Sequence, residues 1–134
     1  MPEAATVSSL PAAVPIAAQP FICSSEAGWS AAWVHPAGEL DLASSPEMSR
    51  ALNDALLQAR LLVLDLRELT FIDSAGIHAI LDAGQAARRR GGQLMVVRGP
   101  APIDRVLTLA RAAEKLAIFD LDSAESAPAL GKVA

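Results

Sequence analysis

Two short runs of this 134-residue chain carry side chains that packing a core does not call for. The first, Gly38-Glu39-Leu40-Asp41, sets two carboxylates two residues apart beside a glycine. The second, Phe71-Ile72-Asp73-Ser74-Ala75-Gly76-Ile77, sets a hydroxyl directly after a carboxylate, at a point where a helix should begin. Acids and a hydroxyl at a helix start have two uses. They are ordinary capping groups that accept from the orphan N–H groups of the first turn, or they form a surface on which a partner binds and modifies the hydroxyl. The spacing alone leaves both uses open, and Glu39 and Asp41 are equally open between solvated loop acids and partner contacts.

Catalysis is not expected. The sequence offers no Cys–His pair and no metal-ligand cluster, and its two histidines, His35 and His78, lie in unrelated contexts. Asp65 and Asp73, both near strand ends, invite comparison with a phospho-accepting aspartate, but the early acidic pair of such domains is missing. No Gly-x-x-x-x-Gly-Lys-Ser/Thr loop is present for nucleotide hydrolysis. We therefore expect neither cofactor nor metal.

The elements that position these runs follow from periodicity. Phe21-Ile22-Cys23, a Ser24–Gly28 turn and Trp29 to His35 read as a hairpin, with Pro36 ending its second strand or forcing it to an edge. Trp29 and Trp33 share one side of that strand and read as packing residues, and Cys23 as a small buried hydrophobe. Ser45-Pro46-Glu47 opens a helix with Ser45 as its cap; Met48, Ala51, Leu52, Ala55, Leu56 and Ala59 form its buried stripe. Leu61 to Leu66 is a central strand covered on both faces. A loop then leads into a second helix from about Ser74 to Arg90, with Ile77, Ile80, Leu81 and Gly84 inward and Gly91-Gly92 as its stop. Gln93 to Val97 is a further buried strand. After Gly99-Pro100-Ala101-Pro102 comes a third helix with Ile103, Val106, Leu107 and Ala110 inward. Ala117-Ile118-Phe119 is a short last strand, and Ser123 to Leu130 a weak terminal helix. Strands alternating with helices imply an α/β fold: one domain with a mixed, mostly parallel sheet of about five strands and three to four helices. Its bounds are set at 20–130, with an Ala/Pro-rich tail at 1–19 expected to be disordered and a short tail at 131–134.

Composition narrows the function class. The length suits one domain, and hydrophobic residues make up 52% of it. A single cysteine excludes an internal disulfide and suits a reducing compartment. The start of the chain has no basic region of the kind signal peptides carry, and no apolar block approaches the ~20 residues of a membrane span; the expected location is the cytoplasm. A net charge of −4 argues against direct nucleic-acid binding. Arg88-Arg89-Arg90 reads as a cationic helix end that offsets the macrodipole.

Gly-Glu-Leu-Asp at 38–41, together with Leu-Asp-Leu at 64–66 leading into Phe71 to Ile77, resembles the STAS domain family, and within it the bacterial anti-sigma factor antagonists. The similarity runs from about Phe21 to Leu121, including the Arg-Arg-Gly-Gly-Gln-Leu-Met-Val-Val stretch and Asp104-Arg105-Val106-Leu107. The resemblance implies a phosphorylation-controlled switch. Ser74 would be the acceptor for a partner kinase of histidine-kinase-like ATPase fold that is itself the anti-sigma factor. The unphosphorylated domain would hold that kinase and free a sigma factor; the phosphorylated one would release it until a serine/threonine phosphatase resets it.

Partner contact would fall on Glu39, Asp41, Asp73, Ser74, Ala75, Gly76 and His78, with Gly76 keeping the surface low for a partner's backbone. Ala75, where several relatives have a second hydroxyl, leaves Ser74 as the one acceptor of the motif. His78, where relatives often carry a small residue, should lie on an exposed face with Asp82, Gln85 and Arg89. A monomer suffices for this role. The resemblance also admits two other roles, a non-phosphorylated subunit of a lipid-transport ABC system and a weak nucleotide or small-ligand sensor.

Overall fold

The computed structural model describes residues 20–27 and 31–121. Among them are six strands and three α-helices: β1 (Ile22–Ala27), β2 (Ala31–Leu40), α1 (Ser45–Leu56), β3 (Leu61–Asp65), β4 (Glu68–Ile72), α2 (Ser74–Arg89), β5 (Gln93–Val97), α3 (Ala101–Leu109), a 3-10 turn (Ala113–Lys115) and β6 (Ala117–Phe119). The expected tails at 1–19 and 131–134, Trp29, and the terminal helix at 123–130 lie outside the described residues.

All six strands join one sheet in the order β1-β2-β3-β5-β6, with β4 pairing β2 beyond the end of β3. Only β1 runs antiparallel to its neighbour; every other pairing is parallel. The expected α/β architecture is the one observed.

The sheet is built on alternation. Ala32, Val34, Leu62, Leu64, Leu94 and Val96 face the main core with Met48 and Leu52 of α1 and Ile77, Ile80 and Ala83 of α2. The odd-phase residues Trp33, Val63 and Val97 form a second cluster with Leu61, Phe119 and Leu121. Period-two patterning thus serves both faces of β3, as its unbroken apolar run requires.

Several boundaries differ from the sequence reading. β1 runs through the expected turn as far as Ala27. β2 continues past Pro36 to Leu40, in the interior of the sheet. The proline is accommodated because β2 changes partner there: Ala31–Val34 pair with β3 and Ala37–Leu40 with β4, so His35 and Pro36 sit in the gap between two ladders. Ser45 is the first residue of α1 rather than its cap, which is Ser44. In α1, Met48, Leu52, Ala55 and Leu56 are buried and Ala51 packs at the core's edge, as does Ala59, which lies past the end of the helix rather than in its stripe. Ala110, expected to face inward, is exposed just past the end of α3, where Ile103 and Leu107 are buried.

The loop expected between the central strand and α2 contains a strand, β4. Its register against β2 slips by one residue: Gly38 pairs with Leu69, but Glu39 pairs with Phe71, leaving Thr70 as a bulge. Gly38 has φ +86° at this slip, a left-handed conformation that explains the glycine of the first motif.

Asp65 closes β3 and is the one buried charged residue of the described core. Burial alone would raise its pKa. Hydrogen bonds from His35 (Nδ1 to Oδ2 3.4 Å) and from Arg67 (Nε to Oδ1 3.0 Å, Nη2 to Oδ2 2.8 Å) outweigh that and hold the carboxyl well below the usual range. The depressed value means that Asp65 contributes its stability above the ordinary carboxylate pKa of about 4 and loses it as pH falls through the lower folded value. Asp65→Asn is expected to destabilise by about 1–3 kcal/mol at neutral pH, below the figure for a fully buried pair because Arg67 is partly exposed. Urea titrations of both proteins should show the difference shrinking as pH drops below about 4. An unchanged difference at low pH would remove the ion pair as its cause.

Candidate functional site

The two chemical runs meet at the carboxyl-terminal ends of β2 and β4. The first is not a loop: Gly38, Glu39 and Leu40 are the last residues of β2, and Asp41 begins the turn into α1. Parallel pairing of β2 with β4 sets Glu39 opposite Phe71 and Leu40 opposite Ile72, so the residues that follow each strand emerge side by side. A chain separation of some thirty residues is thereby closed to hydrogen-bond distance.

Asp73 is the tie between them. It caps α2, its Oδ1 accepting from the Gly76 N–H at 3.1 Å, while its Oδ2 accepts from the Leu42 N–H at 3.1 Å. Its own N–H donates to the Leu40 carbonyl at 3.1 Å. One side chain thus fixes both the start of α2 and the turn after β2. Asp73→Ala should therefore lower stability by about 1–2 kcal/mol, more than an isolated cap at the low end of the range, and Asp73→Asn by less, because an amide oxygen still accepts from Gly76. Thermal melts of the two variants check this; equal losses would contradict the capping account.

Asp41 organises the other half. Its Oδ1 accepts from the N–H groups of Ser44 and Ala43, each at 3.0 Å. These bonds, the Ser44 N–H first among them, hold its carboxyl below the ordinary value. Ser44 Oγ accepts from the Asp41 N–H at 2.9 Å and lies 2.9 Å from the Glu39 carbonyl, to which it donates. The turn that presents Leu42 is therefore braced from inside. Glu39 is half-buried at the end of β2.

Ser74 is exposed and is the first residue of α2. Among the described residues, the backbone N–H groups of Ser74 and Ala75 donate to no protein acceptor, whereas those of Gly76 and Ile77 are taken by the side chain and carbonyl of Asp73. Free first-turn amides and the positive end of a 16-residue helix give this hydroxyl an environment suited to negative charge. Asp73 is itself an anion close by, but both of its oxygens are engaged by backbone donors.

Of the remaining expected residues, Ala75 is half-buried beside Ser74, and His78 is exposed one turn on, along the face with Asp82, Gln85 and Arg89. Gly76 has a packing role that spacing does not reveal. It is buried, and a Cβ there would stand 2.7 Å from Leu40 Cγ and 3.0 Å from Ile72 Cγ1. The seating of α2 against β2 and β4 already demands this glycine.

Asp65 is buried and engaged by Arg67 and His35. The Cys23 thiol, packed against the core, is pushed up to about 11 by burial and by the charge of Glu47. Among the described residues no group of three or more His, Cys, Asp or Glu could hold a metal, and no helix is long and apolar enough to cross a membrane.

Leu42 carries no signal in the sequence, and Phe71 stands there only as part of a motif. Both are exposed large hydrophobics flanking Asp73. The one signal for Phe71 was the broken alternation of Thr70-Phe71-Ile72, which only the bulge resolves.

Comparison with known proteins places this arrangement among relatives. The sequence model described as the STAS domain matches residues 30–124. An anti-sigma F factor antagonist of Paenibacillus polymyxa is 29% identical over 89 residues, spanning 65% of this chain and 76% of that protein. In three dimensions the chain is similar to an anti-sigma factor antagonist of Mycobacterium paratuberculosis, with TM-score 0.65 and 19% identity over 76% of this chain and 87% of the other. It is also similar to the Bacillus cell fate determinant SpoIIAA in its phosphorylated form, with TM-score 0.63 and 14% identity over 86% of this chain and all of the other. At such identities the structural likeness speaks for the fold.

Proposed function

This chain belongs to the STAS domain family, and from that premise we propose that it is an anti-sigma factor antagonist whose grip on its partner is set by phosphorylation of Ser74. Unphosphorylated, it binds an anti-sigma factor that is also a serine kinase with a histidine-kinase-like ATPase fold, and so frees a sigma factor. Phosphorylated, it lets go, and a serine/threonine phosphatase restores it. The domain itself catalyses nothing in this scheme and works in the cytoplasm.

The observation that carries the reading is the setting of Ser74: exposed, first in α2, with unpartnered amides on its own side and acids around it. The name of the Paenibacillus relative supports the same function class. A phosphate there adds about −1.5 to −2 charge where the helix end favours anions, so the fold should keep its stability. Within a closed interface the same charge would be stripped of water and pressed against Asp73, a disruption of binding and not of folding.

The test is incubation with ATP and a panel of anti-sigma factor kinases from the source organism, followed by peptide mass spectrometry. One phosphate on the peptide containing Ser74, absent from Ser74→Ala, is expected. Phosphate elsewhere, or none with any kinase, would overturn the reading.

A further inference from the structure

Among the described residues five large hydrophobics are strongly exposed: Ile22, Leu42, Leu57, Phe71 and Leu109. Two of the five bracket the switch serine. Leu42 is 76% exposed and its N–H is bonded to the Asp73 carboxylate; Phe71 is 47% exposed and lies two residues before Asp73. Neither exposure is a by-product of a loose segment. Leu42 stands on a turn braced by the Asp41 and Ser44 hydrogen bonds, and Phe71 is turned outward by the bulge at Thr70, which breaks the alternation between Leu69 and Ile72.

Acids stand close to them: Glu39 is opposite Phe71 in the sheet, and Asp41 and Asp73 flank Leu42 in sequence and by hydrogen bond, while the nearby cation Arg67 is committed to Asp65. The arginines Arg88, Arg89 and Arg90 lie at the far end of α2, roughly 22 Å along its axis. Exposed apolar anchors inside a rim of charge are the anatomy of a protein-binding surface, with the anchors supplying most of the binding energy.

We propose that Leu42 and Phe71 are the apolar anchors of the partner surface, seated in an apolar depression of the anti-sigma kinase that is bordered by basic residues. The inference rests on the functional reading above and adds to it the residues that supply affinity. The acidic rim selects the basic border and speeds encounter. Ser74 directly follows Asp73, whose carboxylate is bonded to the Leu42 N–H, so a phosphate on it would enter the same contact.

The test is the affinity of the cognate kinase for Leu42→Ala, Phe71→Ala and, as controls on exposed leucines elsewhere, Leu57→Ala and Leu109→Ala, with thermal melts of each. Loss of at least tenfold in affinity for each anchor variant, melting temperatures near wild type and unchanged binding by the controls are expected. Binding should also weaken as salt rises. Wild-type binding that both anchor variants match would overturn this surface alone. A wild-type chain bound by no anti-sigma kinase would overturn the functional reading, and this inference with it.

Discussion

Ser74→Glu is expected to lose the partner kinase by roughly a hundredfold, a penalty of about 3 kcal/mol, while Ser74→Ala keeps it and can no longer be released. The asymmetry follows from where the side chain stands. In the free domain an added carboxylate at the first position of α2 meets water and the amides of Ser74 and Ala75, so stability should change by less than about 1 kcal/mol. In the complex it would lose that water beside Asp73, a residue whose position is fixed by bonds to Gly76 and Leu42 and which cannot swing away. A glutamate carries less charge than a phosphate, so its effect is a lower bound on that of modification. Equilibrium binding of the two variants to the kinase, beside their thermal melts, checks this. If Ser74→Glu bound as tightly as wild type, charge at this position would not be the control.

Gly76→Ala should be the most damaging small substitution at the site, costing about 1–3 kcal/mol and lowering the melting temperature by about 5–15 °C. The added methyl group lands 2.7 Å from Leu40 Cγ and 3.0 Å from Ile72 Cγ1, both of them buried side chains. The relief available is a shift of the start of α2 away from β2, which would also loosen the Asp73 bonds to Leu40 and Leu42. Partner affinity should therefore fall along with stability, in contrast to Ser74→Glu, which separates the two. A Gly76→Ala protein that melts like wild type but fails to bind would return the glycine to the role of a contact residue.

Much of the scaffold was legible from the sequence because its signals are local. Gln93–Val97 is bounded by Gly91-Gly92 and Gly99-Pro100, and α2 opens on Asp-Ser and closes on two glycines; each boundary is a backbone event that one or two residues determine. Features that depend on neighbours distant in the chain were not legible. Pro36 marks a strand end wherever a strand has one continuous partner, and only the change from β3 to β4 lets it sit inside the sheet. β4 is five residues long and its period is broken by the bulge at Thr70, so alternation could not reveal it. The same bulge decides which of Phe71 and Ile72 faces outward.

The site divides in the same way. Ser74, Asp73 and Asp41 were identifiable from type and position, since caps and turn acids act over three residues. The burial of Gly76 against Leu40 and the tie from Asp73 to Leu42 depend on how β2 and β4 pair, and were not. The family resemblance supplied the link between the two motifs that spacing alone left open; the pairing of β2 with β4 supplies its physical form.

The central claim is that phosphate on Ser74 acts on binding and leaves the fold alone. The measurement that tests it most directly is made on one preparation, phosphorylated at Ser74 by the kinase and then divided, with half returned to the free hydroxyl by phosphatase. Titration calorimetry against the kinase and a thermal melt are run on both halves. The account predicts affinities at least a hundredfold apart and melting temperatures within about 3 °C of one another. Equal affinities, or a weaker complex accompanied by a collapse in melting temperature, would contradict it.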